Sequence, residues 1–212
     1  MLPQPSHFVP ERSGIPPKVL AGMGTGEPAC SRLLDMSGTQ SCTRTARLVA
    51  VTYADVVGFS RMMCDDEEGT IARWLAVRRN ILKPLIKANN GRLVNAIGDS
   101  FLAEFCDVAE AVAWGREVQR TMRNLETAVT DGEAAFKLRI AVHCCAVIAM
   151  QDDIFGVGIN IVARLQTYAP PGGLIISGAA YDRMVVRPDV AVKALGALPL
   201  RNIAQPVHAY LL

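Results

Sequence analysis

From residue 47 onward the chain switches repeatedly between short apolar runs and longer stretches of helical periodicity. Leu48-Val49-Ala50-Val51-Thr52-Tyr53 is apolar over a strand's length and predicts a buried strand. Asp65 and Asp66 can cap a following helix, with Glu67 and Glu68 in the first turn, where the helix dipole favours acids. Ile71, Trp74, Leu75, Ile81, Leu82, Leu85 and Ile86 recur at helical spacing; Pro84 should bend that helix and Asn90-Gly91 should end it. Residues 92–97 and 101–105 flank Gly98-Asp99, a hairpin signal. Asp107 and Glu110 form a capping-box pattern before a helix whose inward face is Val108, Ala111, Val112, Val118, Met122 and Leu125. Residues 136–144 and 146–150 predict two strands, and 158–168 a helix stopped by Pro170-Pro171-Gly172-Gly173. A short strand over 174–176, a helical turn over 181–185 and a last strand over 207–212 complete the pattern, with no internal repeat.

The order β-α-β-β-α-β predicts an α+β fold, a ferredoxin-like βαββαβ core with C-terminal additions. In such a sheet the first strand lies antiparallel beside the third, so the end of one meets the start of the other. Asp55, in Ala54-Asp55-Val56-Val57-Gly58-Phe59-Ser60, stands at the first place, and Asp99, in Ile97-Gly98-Asp99-Ser100, at the second. Two carboxylates so placed suit a pair of hard divalent cations, Mg²⁺ or Mn²⁺, about 3.5–4 Å apart, as in-line phosphoryl chemistry requires. The backbone through Gly58, Phe59 and Ser60 can cradle a triphosphate. A third cluster, from Asp153-Ile154-Phe155-Gly156 through Asn160 to Arg164, supplies polar groups of another kind.

Composition narrows the setting. Residues 1–45 hold six prolines by position 28 and no periodicity, which predicts a disordered tail or linker before a single domain over 46–212. Half of the 212 residues are hydrophobic, enough for a real core. A net charge of +2 makes no case for nucleic acid as a partner. No run reaches the roughly 18 apolar residues of a membrane span, and the N-terminus lacks the pattern of a secretory signal. The six cysteines show no CxxC pair, which fits reduced thiols in a cytoplasmic protein; Cys144 and Cys145 should point to opposite faces of one strand.

On the runs ADVVGFSRMM, DDIFGVGINIVARL and PPGGLIISGAAYD, residues 47–212 resemble the catalytic domain of the class III nucleotidyl cyclases, the adenylate/guanylate cyclase family. The resemblance implies the nucleotide cyclase fold and attack of a ribose 3′-hydroxyl on the α-phosphate, releasing pyrophosphate. It assigns two Mg²⁺ or Mn²⁺ ions to Asp55, Asp99 and the backbone carbonyl of Val56. Asn160 is expected to orient the ribose, and Arg164 to stabilise charge at the α-phosphate. Asp153 would accept from the adenine amino group. Asn95 stands where relatives carry a purine-reading lysine, and Arg201 where they carry a triphosphate-binding lysine. Ala141 and Cys145 replace two glycines of a strand that runs near the dimer interface in relatives, and Val157 stands at a frequent aspartate position. The implied protein is an adenylate cyclase acting on ATP as a homodimer with two equivalent shared sites. The alternatives are a guanylate cyclase, or a degenerate domain with a nucleotide-binding or regulatory role.

Overall fold

The computed structural model describes residues 46–128, 135–150, 153–184 and 191–212. The tail or linker expected over 1–45, and Val185 at the end of the expected helical turn, lie outside the described residues.

Strand β1 (Ala46–Val56) is the centre of the sheet. Its side chains alternate between two cores: Ala50, Ala54 and Val56 enter one, Val49 and Val51 the other. A strand buried on both faces reads as an unbroken apolar run, which is why it was legible in the sequence. It pairs antiparallel with β3 (Ser100–Phe105) and with β4 (Leu138–Met150). With β2 (Arg92–Ile97) beyond β3, the order β2-β3-β1-β4 is that of the expected ferredoxin-like core. The C-terminal additions extend it: β6 (Leu174–Ser177) runs parallel to β4, then come β8 (Val207–Leu211) and β7 (Lys193–Leu198). Short β5 (Asp153–Phe155) folds back on the end of β4.

Helices α2 (Glu67–Val77), α3 (Lys83–Ala88) and α4 (Val108–Ala128) cover one face through Trp74, Ile86, Val112, Trp114 and Val118. Helix α5 (Val157–Leu165) covers part of the other, with Val162 and Leu165 in the core that holds Val49 and Val51. On that second face Glu104 is buried and held by Arg47 Nη2 at 2.6 Å and Arg92 Nε at 2.7 Å, which ties β1, β2 and β3 in register. The pairing satisfies a carboxylate that would otherwise be costly to bury.

Several expectations are corrected. The two strands predicted over 136–150 are one, because no turn residue interrupts the alternation at Cys145. Cys144 and Cys145 do face opposite cores. Strands β5 and β7 and the seven-residue α1 (Phe59–Asp65) went unseen; α1 has no buried residue and β7 is mostly exposed, so neither carries a clear period. Asp66 alone caps α2, accepting from Gly69 N at 3.0 Å, while Asp65 ends α1. Ahead of Pro84 the helix widens into a π-turn over Arg78–Leu82, which accommodates the missing N–H. Asp107 caps α4 through Ala109 N at 2.7 Å, but Glu110 accepts from Asn90 Nδ2 instead of closing a box. Leu125 is exposed rather than inward, and of the residues at helical spacing before it Ile71 and Leu75 are exposed too. The helical turn expected at 181–185 starts earlier, as α6 (Gly178–Tyr181).

Candidate active site

The pairing of β1 with β3 ends at Ala54 and Phe101, so Asp55 and Ser100 are the next opposed pair. Ser100 Oγ donates to Asp55 Oδ1 at 3.3 Å. Partial burial, and then the adjacent Asp99 carboxylate, raise the pKa of Asp55 above its ordinary value; the Ser100 hydroxyl and Arg139 oppose the shift. Two acids that the sequence separates by three helices and a strand are thus close enough to repel. Across β1, Arg139 is the registered partner of Asp55.

Strand alternation also places a third oxygen here. Val57 N donates to Lys137 O on the β4 side, so the carbonyl of Val56 turns to the β3 side, past the last residue of β1 that β3 pairs. The donor set is hard oxygen throughout: two carboxylates, a carbonyl and a hydroxyl. Among the described residues no group of three His, Cys, Asp or Glu side chains gathers to hold a metal. A two-carboxylate set fits Mg²⁺-type ions, which keep waters and take substrate phosphates as further ligands.

The turn that carries Asp99 is held from below. Trp74 Nε1, on α2, donates to Gly98 O at 2.8 Å. Gly98 has a φ of 57°, the left-handed conformation that this tight turn demands. Trp74 itself packs on Phe59 and Phe136, with ring centroids 6.2 and 5.6 Å away. Phe59 therefore belongs to the core, and only its backbone, with that of Gly58 and Ser60, is available to a ligand.

The remaining candidates gather elsewhere. Asn95 lies at a bulge in β2: Leu93 opposes Ala103, yet Asn95 opposes Leu102. The extra residue, Val94, keeps Leu93 and Ala96 in the first core while turning Asn95 to the face of Asp55. Its Oδ1 accepts from Ala96 N at 2.7 Å, which leaves Nδ2 as the free, donating group. Strand β5 approaches β2, bringing the strand of Asp153 to that of Asn95. Asp153 Oδ1 accepts from Ile154 N at 2.8 Å, leaving its second oxygen available. On α5, Asn160 is exposed and Arg164 Nη1 donates to Asn160 O at 3.0 Å. Among the described residues Arg164 has no carboxylate partner. Arg201 is exposed in the β7–β8 loop. Tyr168, just after α5, donates to Pro199 O and so ties that loop to the end of the helix that carries Arg164.

The matching family model is the adenylate and guanylate cyclase catalytic domain, over residues 43–212. The chain belongs to that family. Among curated proteins it is 32% identical over 164 residues to "Putative adenylate cyclase 3" of Rhizobium meliloti, covering 77% of this chain and 28% of that protein. It is 27% identical over 139 residues to an adenylate cyclase of Streptomyces coelicolor, covering 66% of this chain and 35% of that protein. It therefore spans only about a third of the curated relatives it matches. Among solved structures, an adenylate/guanylate cyclase/hydrolase from Silicibacter pomeroyi superposes with a TM-score of 0.73 at 28% identity, covering 79% of this chain and 96% of that one. The adenylyl cyclase CyaB of P. aeruginosa superposes with a TM-score of 0.69 at 18% identity, covering 79% and 94%, which bears on the fold alone.

Within this cyclase domain, the glycine replacements of β4 are absorbed internally. Ala141 is fully buried, and Cys145 packs against Gly158 of α5, where a Cβ would lie 2.1 Å from Cys145 Sγ. Burial, and then the neighbouring Cys144, push the Cys145 thiol up to about 11, so it stays protonated and inert. His143 is buried, its Nδ1 2.7 Å from Ser177 Oγ. That hydroxyl also accepts from Ala180 N, and burial lowers the pKa of His143 to about 4, so its ring is neutral. Sequence reasoning missed Arg139, Trp74 and Tyr168. Only Arg139 had a readable signal, a cation within a largely apolar predicted strand. No helix among the described residues is long and apolar enough to cross a membrane.

Proposed function

We propose that this domain is an adenylate cyclase that converts ATP to 3′,5′-cyclic AMP and pyrophosphate at a site shared between two copies of the chain. The carrying observation is the meeting of Asp55 and Asp99 at one sheet end, close enough for the Asp99 carboxylate to raise the pKa of Asp55. That repulsion is a cost with no benefit to the metal-free fold, and it is relieved by divalent cations.

Asp55, Asp99 and the Val56 carbonyl would hold two Mg²⁺ or Mn²⁺ ions. When bound, such ions supply positive charge for the phosphates and acidify the 3′-hydroxyl. The 3′-oxygen forms its bond to the α-phosphorus, the bond to the β-phosphate bridge breaks, the hydroxyl proton leaves to solvent, and pyrophosphate departs. Arg164, free of any described carboxylate, meets charge growing at the α-phosphate; its planar fork suits an anion with several oxygens. Asn160, one turn earlier, orients the ribose. The backbone of Gly58, Phe59 and Ser60, with Arg139 and Arg201, receives the outer phosphates. Asn95 Nδ2 donates to the purine ring and the free oxygen of Asp153 accepts from the adenine amino group.

Sharing between two copies rests on placement. The helix bearing Asn160 and Arg164 packs in the core of Val49 and Val51, whereas Asp55 lies four residues beyond Val51, roughly 13 Å along the strand. No described hydrogen bond or ion pair joins the two sets. Exposed Met150, Phe155 and Val157 surround Asp153, an apolar rim suited to a second copy. ATP supply and the free thiols Cys64, Cys106, Cys144 and Cys145 suit a cytoplasmic setting for the domain formed by residues 46–212.

A second reading, a nucleotide-binding regulatory domain without turnover, is favoured by Asn95, which brings no charge to the base. The test is incubation of the purified chain with ATP or with GTP and Mn²⁺, read by mass spectrometry. Cyclic AMP from ATP is expected. Cyclic GMP alone would make it a guanylate cyclase, and no product from a verified dimer would leave the regulatory reading.

A further inference from the structure

On the other side of the sheet from the Asp55 side chain, a groove of about 570 Å³ runs between α4, the Gly172–Leu174 segment and Leu212. Its volume falls within the range of small-molecule sites, about 300–1,000 Å³. Three arginines line it: Arg116, Arg120 and Arg123. At i, i+4 and i+7 they share one face of α4. The only acid in the lining is Glu117, 3.6 Å from Arg120, so three cations face one anion. Among the described residues Arg116 and Arg123 have no acidic partner.

The floor is built rather than incidental. Gln119 is buried, and its Nε2 donates to Leu138 O at 3.0 Å and to Gly173 O at 2.8 Å. Gly172 N donates to the same Leu138 carbonyl at 2.9 Å. One amide thus fixes α4 against both the start of β4 and the loop before β6, holding the groove open in one shape. Leu138 is the registered partner of Val56, so this floor continues into the strand pair that ends at the candidate metal site.

We propose that the groove is a second anion site, distinct from the nucleotide site, for a compact small molecule carrying two or more phosphates. Seven residues of helix spread Arg116, Arg120 and Arg123 over about 10 Å along one face, a span that a linear polyphosphate or a nucleoside polyphosphate can follow with successive phosphates. Guanidinium forks match phosphate oxygens in pairs. A groove set between α4 and the Gly172–Leu174 segment favours a small molecule over a flat protein contact.

The probe is inorganic tripolyphosphate, titrated calorimetrically in EDTA into the full chain carrying R164Q and R201Q, which weakens anion binding at the nucleotide site. Binding is expected to persist there, and to fall at least tenfold when R116Q and R123Q are added. Both added changes are at exposed positions, and an unchanged melting temperature verifies the fold. No binding in the R164Q/R201Q chain, or binding indifferent to R116Q and R123Q, overturns the proposal. Tighter binding of an octaglutamate peptide than of tripolyphosphate also overturns it, in favour of an acidic protein segment.

Discussion

The two ends of the candidate site are built differently. Around Asp55 and Asp99 every element is braced: Ser100 reaches Asp55, Trp74 holds the Gly98 carbonyl, and Arg139 stands across the strand. Around Asn160, Arg164 and Arg201 the side chains are exposed or half-exposed, and among the described residues the Arg164 side chain bonds only to its own helix. A braced end positions ligands without help. An open end, with cations that have no acidic partner among the described residues and with exposed Phe155 and Val157 beside it, leaves its groups free for whatever binds there. The contrast is what the proposed function calls for: a pre-formed end to hold metals and an open end completed by a second copy.

The largest effect tests the division itself. Asp55→Ala and Asn160→Ala should each abolish cyclase activity, by about a thousandfold or more given the several kcal/mol expected of such groups. Mixed in equal amounts, the two inactive chains should regain about a quarter of wild-type activity, since statistical pairing makes half the dimers mixed, each with one intact site. No recovery in dimers shown to be mixed would break the shared-site comparison.

Next in size is a pH effect that belongs to neither end. His143 is neutral in the fold with a pKa of about 4, against 6.5 when unfolded. The stability it contributes is complete above pH 6.5 and is lost as pH falls toward 4, about 3 kcal/mol at 1.36 kcal/mol per unit. Denaturant melts across that window should show the loss, and His143→Gln should flatten it.

Removing a brace should cost the metal end alone. Trp74→Phe keeps an aromatic side chain but deletes the donor to Gly98 O and part of the buried indole, for about 2–3 kcal/mol of stability. The Mn²⁺ concentration for half-maximal activity should rise about tenfold, with the Michaelis constant for ATP at saturating Mn²⁺ nearly unchanged. A shift in the ATP constant alone would blur the distinction between the ends.

The smallest effect reads the repulsion directly. Because Asp55 is raised, the stability linked to its protonation is present at low pH and lost as pH rises through its folded value. Asp55→Asn should therefore melt slightly higher than wild type in EDTA at neutral pH. Mn²⁺ should raise the melting temperature of wild type and not of the variant.

Much of this was legible in local pattern. The apolar run of β1, the hairpin about Gly98 and the capped α4 each depend on neighbours close in sequence, so their periods and turn residues are visible. Sheet order follows from connection rules, and so the meeting of Asp55 and Asp99 was visible too. The single β4 and the short α1 were misread because nothing local separates a continued alternation from a break, or marks a helix that buries no side chain.

What only the tertiary structure decided lies in contacts between residues distant in the chain. The bulge at Val94 sets the face of Asn95, and a period-2 strand without it would have turned that side chain into the opposite core. The seating of Gly158 on Cys145, the Trp74 anchor and the Tyr168 tie to Pro199 are likewise outcomes of packing. The sequence determined which chemical groups exist and which strand ends carry them. Close packing and strand register decided which face each one occupies and what holds it there, because those depend on the whole assembled sheet.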